Sequence, residues 1–119
     1  HREFVNGISR EKEEVAYVDA LREALPDDGS LVIDNTMIGY FAEQLYTSKK
    51  PLGLVQAKGA APIGFAFPAA MGLKLADPEA SVVALIGDGV FCMGRRSWPP
   101  AGRWVSGFRL SWLTMGLIA

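Results

Sequence analysis

An aliphatic run that ends in a glycine-flanked carboxylate most constrains the fold of this chain. Residues 81–86 read Ser-Val-Val-Ala-Leu-Ile, and Gly87-Asp88-Gly89 follows them directly. A short apolar run bounded by turn residues is typical of a buried strand in a parallel sheet. Two glycines let other groups approach the backbone closely, and one carboxylate offers a hard oxygen ligand to a metal ion. Such a strand end suits a metal-bound diphosphate, although ordinary surface turns are rich in the same residues.

The rest of the chain alternates between helical and strand patterns. Apolar residues recur at helical spacing over residues 9–25, where Ser9 is a suitable cap, and an aliphatic strand follows at 31–33. Further helices are predicted over 38–46 and 65–76, the latter small and apolar with its proline in the first turn. This β-α-β order predicts an α/β fold, a partial doubly wound parallel sheet, with ligands bound at the carboxyl ends of its strands.

Composition limits the partners and the setting of the chain. Its 119 residues are enough for one small domain, and a net charge of -1 argues against a nucleic-acid partner or a basic membrane surface. No apolar run approaches the roughly 20 residues that span a bilayer. Cys92 is the only cysteine, which excludes an internal disulfide and favours a cytoplasmic setting. Because the chain begins at His1 rather than at a methionine, we expect it to be part of a larger protein.

The segment before the last strand carries a family resemblance. Residues 59–72 read Gly-Ala-Ala-Pro-Ile-Gly-Phe-Ala-Phe-Pro-Ala-Ala-Met-Gly, and Lys-Leu-Ala-Asp-Pro follows at 74–78. Together with Gly87-Asp88-Gly89, this segment closely resembles the cofactor-binding domain of the thiamine-diphosphate enzymes, above all the acetolactate synthases and related 2-oxo acid decarboxylases. The resemblance covers about residues 12–93. It implies the thiamine-diphosphate-binding fold and a partial domain of that kind over residues 1–94.

The resemblance implies thiamine diphosphate and Mg²⁺ as cofactors, bound at two strand ends. Asp88 matches the metal ligand of the family. The residues matching the family's diphosphate-binding segments are Asn35, Thr36, Met37, Gly87, Asp88, Gly89 and Val90. For Asn35 and Thr36, helix capping is an equally good interpretation. Phe91 and Met93 are expected to pack beneath the turn.

Two further positions match the family's contacts to the cofactor rings. Ile63 matches the bulky aliphatic residue on which the bent cofactor rests, and a plain core residue is the alternative interpretation. The carbonyl of Ala61 matches the backbone group that accepts a hydrogen bond from the aminopyrimidine. No catalytic residue is assigned, because the glutamate that activates the cofactor in this family belongs to a separate domain of a partner subunit. We therefore expect this chain to be inactive by itself.

The implied reaction is decarboxylation of a 2-oxo acid, with or without transfer to a second carbonyl compound. Acetolactate synthases commonly carry Gln-His where this chain has Met37-Ile38. That departure leaves room for a decarboxylase of the benzoylformate or guanidino-oxopentanoate type. The full-length protein is expected to be a homo-oligomer, a dimer or a tetramer, since active sites of this family form between subunits. The small-residue face of the helix predicted over 65–76 is a candidate for that contact.

Residues 95–119 depart from the family, and we interpret them as a frame-shifted tail. All three tryptophans fall in this segment, and Ser97-Trp98-Pro99-Pro100 stands where the family has a helix opening Gln-Glu-Leu-Ala-Thr-Ala. Reading the last base of each codon with the first two of the next can restore the family's continuation. The restored text includes an Asn that straddles Leu113 and Thr114, about where a second metal ligand belongs. A genuine Arg- and Trp-rich tail is the alternative interpretation.

Two other functions remain as alternatives. The first is a catalytically silent fragment that binds the cofactor or another protein. The second is a Rossmann-type dinucleotide enzyme, which is disfavoured because no Gly-x-Gly-x-x-Gly turn follows either predicted strand.

Overall fold

The computed structural model describes residues 11–90, with side chains from Glu13 onward. Six elements follow one another along this part of the chain. They are α1 (Glu11–Ala24), β1 (Ser30–Ile33), α2 (Met37–Leu45), β2 (Leu54–Gln56), α3 (Ala66–Ala76) and β3 (Val82–Leu85). The expectations for Ser9, Phe91, Cys92, Met93 and the segment 95–119 lie outside the described residues.

The strands form a three-stranded parallel sheet in the order β2-β1-β3. The central strand β1 is fully buried, because helices cover both of its faces and neighbouring strands cover both of its edges. This explains why its sequence is apolar throughout rather than alternating. Ile33 pairs with Gln56 on one side and with Leu85 on the other, so all three strands end level with one another.

Helices pack on both faces of the sheet. Leu31 and Ile33 face one way and join a cluster with residues of α1 and α2, including Val18 and Ala42. Val32 faces the other way and packs against Ala66 and Ala70 of α3. Successive side chains of a strand point to opposite faces, so each face of β1 helps to build its own apolar layer. The α/β fold with a partial doubly wound parallel sheet is confirmed.

Strand β2 was not predicted from the sequence. Leu54, Val55 and Gln56 form only three residues of strand, and all three are partly exposed because β2 lies at the edge of the described sheet. A run of this length carries no recognisable alternation. Its place in the sheet comes from backbone pairing with Leu31, Val32 and Ile33 instead. The predicted strand order therefore lacked one neighbour of β1.

The remaining elements agree with prediction to within a few residues. The second helix begins at Met37 rather than at residue 38, because Thr36 caps it. The third begins at Ala66, which places Pro68 in the first turn as expected. Within residues 11–90, no helix combines the length and the apolar character needed to cross a bilayer.

Candidate functional site

Loops leaving all three strands meet at the carboxyl edge of the sheet. Asp34 follows β1 directly, and its N–H donates to the Leu85 carbonyl of β3 at 3.0 Å. Ala57 leaves β2 at the same level, since Gln56 pairs with Ile33. The expectation that the segments after the first and last strands share one edge is confirmed. Ligands of open α/β sheets bind at an edge of this kind.

Thr36 caps helix α2 at this edge. Its backbone is extended, and its Oγ1 accepts the Gly39 N–H at 2.9 Å. The capping interpretation is therefore correct for Thr36, and it is compatible with a ligand contact. The N–H groups of Met37 and Ile38 open the helix and have no acceptors within it. Such donors, at the positive end of the helix dipole, suit a phosphate oxygen.

Asn35 and Met37 flank the cap and are exposed. The Asn35 Oδ1 accepts a hydrogen bond from the Tyr40 hydroxyl, so Asn35 does not cap the helix. Met37 is 64% exposed, and Tyr40, one helical turn further on, is 49% exposed. An apolar side chain at the surface of a binding edge is available to a ligand at no cost to the core.

The chain leaves β3 through Gly87 and becomes helical at residues 88–90. Asp88 therefore begins a helical stretch, whereas the sequence suggested an open turn. Its carboxylate is exposed, and Oδ1 accepts the Gly89 N–H at 2.7 Å. A Cβ on Gly87 would lie 3.3 Å from Thr36 Cγ2 and 3.9 Å from Val90 Cγ2. Gly87 thus keeps clear the narrow space between the ends of β1 and β3.

Residues 57–65, which connect β2 to α3, form a segment that we call the strap. Its backbone is unusual at Ala61, which has φ +40° despite its side chain, and at Gly64, which has φ +94°. A positive φ is unfavourable for alanine and requires surroundings that hold it. Ile63 is 58% exposed, which rules out the interpretation of Ile63 as a core residue. The strap therefore presents a bulky aliphatic side chain to the outside.

Asp34 is a residue of this edge that was not predicted from the sequence. It is 2% exposed, and its carboxylate accepts three backbone N–H groups. These come from Asn35 at 2.8 Å, Gly64 at 3.2 Å and Ala66 at 2.9 Å. A carboxylate directly after a buried strand was the available signal. Its partners Gly64 and Ala66, 30 and 32 residues further along the chain, could not be read from the sequence.

A small pocket opens beside Asp34 and brings together two of the predicted residues, Asn35 and Ala61. Its lining consists of Ile33, Asp34, Asn35, Gln56, Ala57, Ala61, Pro62 and Phe65. This lining includes neither Ile63 nor the segment 87–90. Gln56 was not predicted: its Nε2 donates to Glu43 Oε2 at 3.1 Å, while its Oε1 is buried without a partner in the described part of the chain. An acceptor without a partner is suited to a ligand that donates a hydrogen bond.

Asp88 was the predicted metal ligand, and the donor set fits a cation shared with a ligand. Among the residues that the structure describes, no group of three or more His, Cys, Asp or Glu side chains is placed to hold a metal ion. Mg²⁺ commonly takes one or two carboxylates and completes its octahedron with phosphate oxygens and water. An exposed carboxylate beside open backbone at Gly89, where a Cβ would meet nothing within 4 Å, meets that requirement.

Comparison with known proteins bears on the chemistry of this edge. The family model described as "Thiamine pyrophosphate enzyme, C-terminal TPP binding domain" matches residues 34–96. A probable 2-ketoarginine decarboxylase of Pseudomonas aeruginosa is 32% identical over 76 residues, which is 64% of this chain and 14% of that protein. The chloroplastic acetolactate synthase of Arabidopsis thaliana is 41% identical over 69 residues, 56% of this chain and 10% of that protein.

A third relative matches a shorter stretch more closely. The acetolactate synthase large subunit of Haemophilus influenzae is 47% identical over 49 residues, 41% of this chain and 9% of that protein. The chain thus spans at most about a seventh of the length of these three relatives.

Proposed function

Since the chain belongs to the thiamine pyrophosphate enzymes, in the family of their C-terminal TPP binding domain, we propose that its carboxyl sheet edge holds the diphosphate of thiamine diphosphate together with Mg²⁺. Thiamine pyrophosphate and thiamine diphosphate are the same compound. One observation carries this proposal: the ends of β1 and β3 converge at Thr36 and Gly87, with exposed Asn35 and Asp88 beside them.

The residues at this edge have separate roles in the proposal. Asp88 supplies a carboxylate oxygen to Mg²⁺, and Gly87 and Gly89 let phosphate oxygens reach the backbone. Val90 follows in the same helical stretch, and its backbone N–H lies in the first turn of that stretch. The N–H groups of Met37 and Ile38 interact favourably with the negative charge of the diphosphate, and the Asn35 side chain adds an exposed amide. Thr36 holds the start of α2 so that these donors stay in place.

The strap supplies the ring side of the proposed site. Ile63 offers an exposed aliphatic surface, and the carbonyl of Ala61 is the proposed acceptor for the aminopyrimidine amino group. When bound, the cofactor would supply the carbanion chemistry of the reaction, while the protein contributes orientation and electrostatics. Residues 11–90 provide binding and orientation in this scheme. We assign them no proton transfer, which is why the isolated chain is proposed to be inactive.

The full-length protein is proposed to act on a 2-oxo acid, as a decarboxylase or as a synthase that joins two carbonyl compounds. Relatives of both kinds, a probable 2-ketoarginine decarboxylase and two acetolactate synthases, support this pair of reactions. Met37-Ile38, in place of the Gln-His of the synthases, leaves room for the decarboxylase. A homo-oligomer is proposed for the full-length protein. The cytoplasmic setting, inferred from the single cysteine, stays a prediction.

Calorimetric titration of thiamine diphosphate into the chain tests the cofactor proposal, with Mg²⁺ present and then with the metal chelated. We expect binding that requires Mg²⁺ and that Asp88→Ala abolishes. Asp28→Ala is the matched control, because Asp28 is also an exposed carboxylate but lies in the loop before β1, away from the carboxyl edge. Binding that persists in Asp88→Ala would contradict the assigned metal ligand.

The tail proposal has its own support and its own test. The family match ends at residue 96, close to the proposed change of frame at about residue 94. Residues 1–94 would then be the partial cofactor domain and 95–119 an aberrant tail. Independent reads of the coding DNA decide the matter. A missing or extra base near codon 94 is expected, and one uninterrupted frame in all reads would overturn the proposal.

A further inference from the structure

We propose that Asp34 is a positioning residue that holds the strap, and with it Ala61 and Ile63, at the carboxyl edge. The inference rests on the proposed function, because Ala61 and Ile63 matter as the ring side of the cofactor site. Asp34 itself need not touch the cofactor. Its role is to fix backbone that comes from a distant part of the chain.

The surroundings of Asp34 show how its buried carboxylate is stabilised. The side chain is 2% exposed, and no Lys or Arg pairs with it in the described part of the chain. A buried carboxylate needs hydrogen-bond donors or a counter-charge. The N–H groups of Asn35, Gly64 and Ala66 meet that need, and hydrogen bonds to an ionised acceptor are among the stronger ones.

Two of these donors fix the end of the strap. Ala66 is the first residue of α3, and Phe65 before it provides no side-chain cap. Asp34 Oδ2 therefore caps α3 from the end of β1, at 2.9 Å from the Ala66 nitrogen. Gly64, which has φ +94°, donates to Oδ1. Across residues 58–64, this is the backbone hydrogen bond that ties the strap to the rest of the described chain.

The strained residue of the strap lies close to this attachment. Ala61, at φ +40°, is three residues before Gly64, and Ile63 directly precedes Gly64. Unfavourable backbone of this kind persists only where neighbouring contacts over-determine it. Loss of the attachment would let Ala61 relax and Ile63 move, while the ends of β1 and β3 keep their own pairing through Asp34 N and Leu85 O.

An Asp34→Asn variant separates shape from charge. Asparagine has one acceptor oxygen and one NH₂ donor where aspartate has two acceptors. If the NH₂ group replaces Oδ1, it faces the N–H groups of Asn35 and Gly64. If it replaces Oδ2, it faces the N–H group of Ala66. In both cases a donor meets another donor. The matched control is Asp77→Asn, because Asp77 Oδ1 also accepts a backbone N–H, that of Glu79 at 3.1 Å, but at the opposite end of α3.

Two titrations with the wild-type chain and both variants test the inference, one with thiamine diphosphate and one with inorganic diphosphate, each with Mg²⁺. For Asp34→Asn we expect the dissociation constant of thiamine diphosphate to rise by about tenfold or more, while that of inorganic diphosphate changes by less than about twofold. Asp77→Asn should leave both constants unchanged. If the role of Asp34 were purely structural, Asp34→Asn would weaken the binding of both ligands together.

The possible results distinguish this inference from the proposed function. If the wild-type chain binds neither ligand, the proposed function fails and the inference fails with it. If the wild-type chain binds both and Asp34→Asn weakens neither, or weakens both equally, the inference alone is overturned. Should Asp34→Asn fail to fold, amide hydrogen exchange in the wild-type chain decides instead. Slow exchange at Gly64 and Ala66 supports the attachment, and exchange as fast as at the exposed Gly59 overturns it.

Discussion

Thr36 and Gly87 approach each other across the carboxyl edge of the sheet, and a Cβ on Gly87 would lie only 3.3 Å from Thr36 Cγ2. The contact joins the end of β1 to the end of β3. It brings the cap of α2 next to the carboxylate-bearing segment 87–90. Four of the predicted diphosphate-binding residues, Asn35, Thr36, Gly87 and Asp88, therefore lie within two short stretches that meet.

Gly87→Ala should destabilise the chain by about 1 kcal/mol, because the new methyl group presses on Thr36. Gly89→Ala is the matched variant: a Cβ there meets nothing within 4 Å, and alanine favours helical backbone, so stability should rise by about 0.5 kcal/mol. Both substitutions should weaken the binding of thiamine diphosphate, because both restrict the approach of phosphate to the backbone. Urea denaturation and calorimetry measure the two effects separately. Equal stability changes of the same sign would contradict the close packing of Gly87 against Thr36.

Thr36→Ala should lower the free energy of unfolding by about 1 kcal/mol, because the Gly39 N–H loses its side-chain acceptor. Thr36→Ser keeps the hydroxyl and should retain most of that stability. Denaturant titration followed by circular dichroism measures the difference. A serine variant as unstable as the alanine variant would show that the methyl group, rather than the cap, carries the effect.

Ile63→Ala should change the free energy of unfolding by less than about 0.5 kcal/mol, since the side chain is 58% exposed. The substitution should instead weaken cofactor binding and raise the dissociation constant of thiamine diphosphate by about tenfold. The control is Leu75→Ala, because Leu75 is 53% exposed on α3 and is not assigned to the site. A comparable loss of affinity in both variants would argue against a specific contact at Ile63.

Asp27 gives the chain an acid-sensitive surface interaction. The hydrogen bond from Lys49 holds the pKa of Asp27 below its usual range, and the charges of Lys49 and Arg22 act in the same direction. Because the folded-state pKa is depressed, this stabilisation is present above the unfolded pKa of about 3.9 and is lost as pH falls through the folded value. Asp27→Asn should therefore reduce the loss of stability below about pH 4. Thermal unfolding across this pH range, with Asp28→Asn as the control, measures it.

The sequence predicted the parts of the fold that depend on local patterns. The buried strand β1 and the helix α2 are read from an aliphatic run and from a threonine before an apolar segment. Strand β2 could not be read in this way, because Leu54, Val55 and Gln56 are too few to show a period. Their conformation is fixed by pairing with β1. Sheet edges made by long-range pairing leave little local signal.

The candidate site divides in the same way. Glycine and aspartate at a strand end are informative by themselves, so Gly87 and Asp88 could be predicted from the sequence as candidate site residues. Asp34 and Gln56 were missed because their importance comes from partners far along the chain, at Gly64 and Ala66 for one and at Glu43 for the other. Burial turns an ordinary polar group into a structural requirement, and the burial of the Asp34 side chain and of the Gln56 Oε1 atom follows only from the assembled sheet.

The proposed function requires that the ends of β1 and β3 together bind a metal-bound diphosphate. Mn²⁺ in place of Mg²⁺, added with thiamine diphosphate, tests it most directly, because the paramagnetic ion broadens the NMR signals of nearby amides. We expect the strongest broadening at residues 35–37 and 87–90 and weaker broadening at the opposite strand ends, Ser30 and Val82. Broadening centred on Ser30 and Val82, or the same pattern from Mn²⁺ with Asp88→Ala, would contradict it.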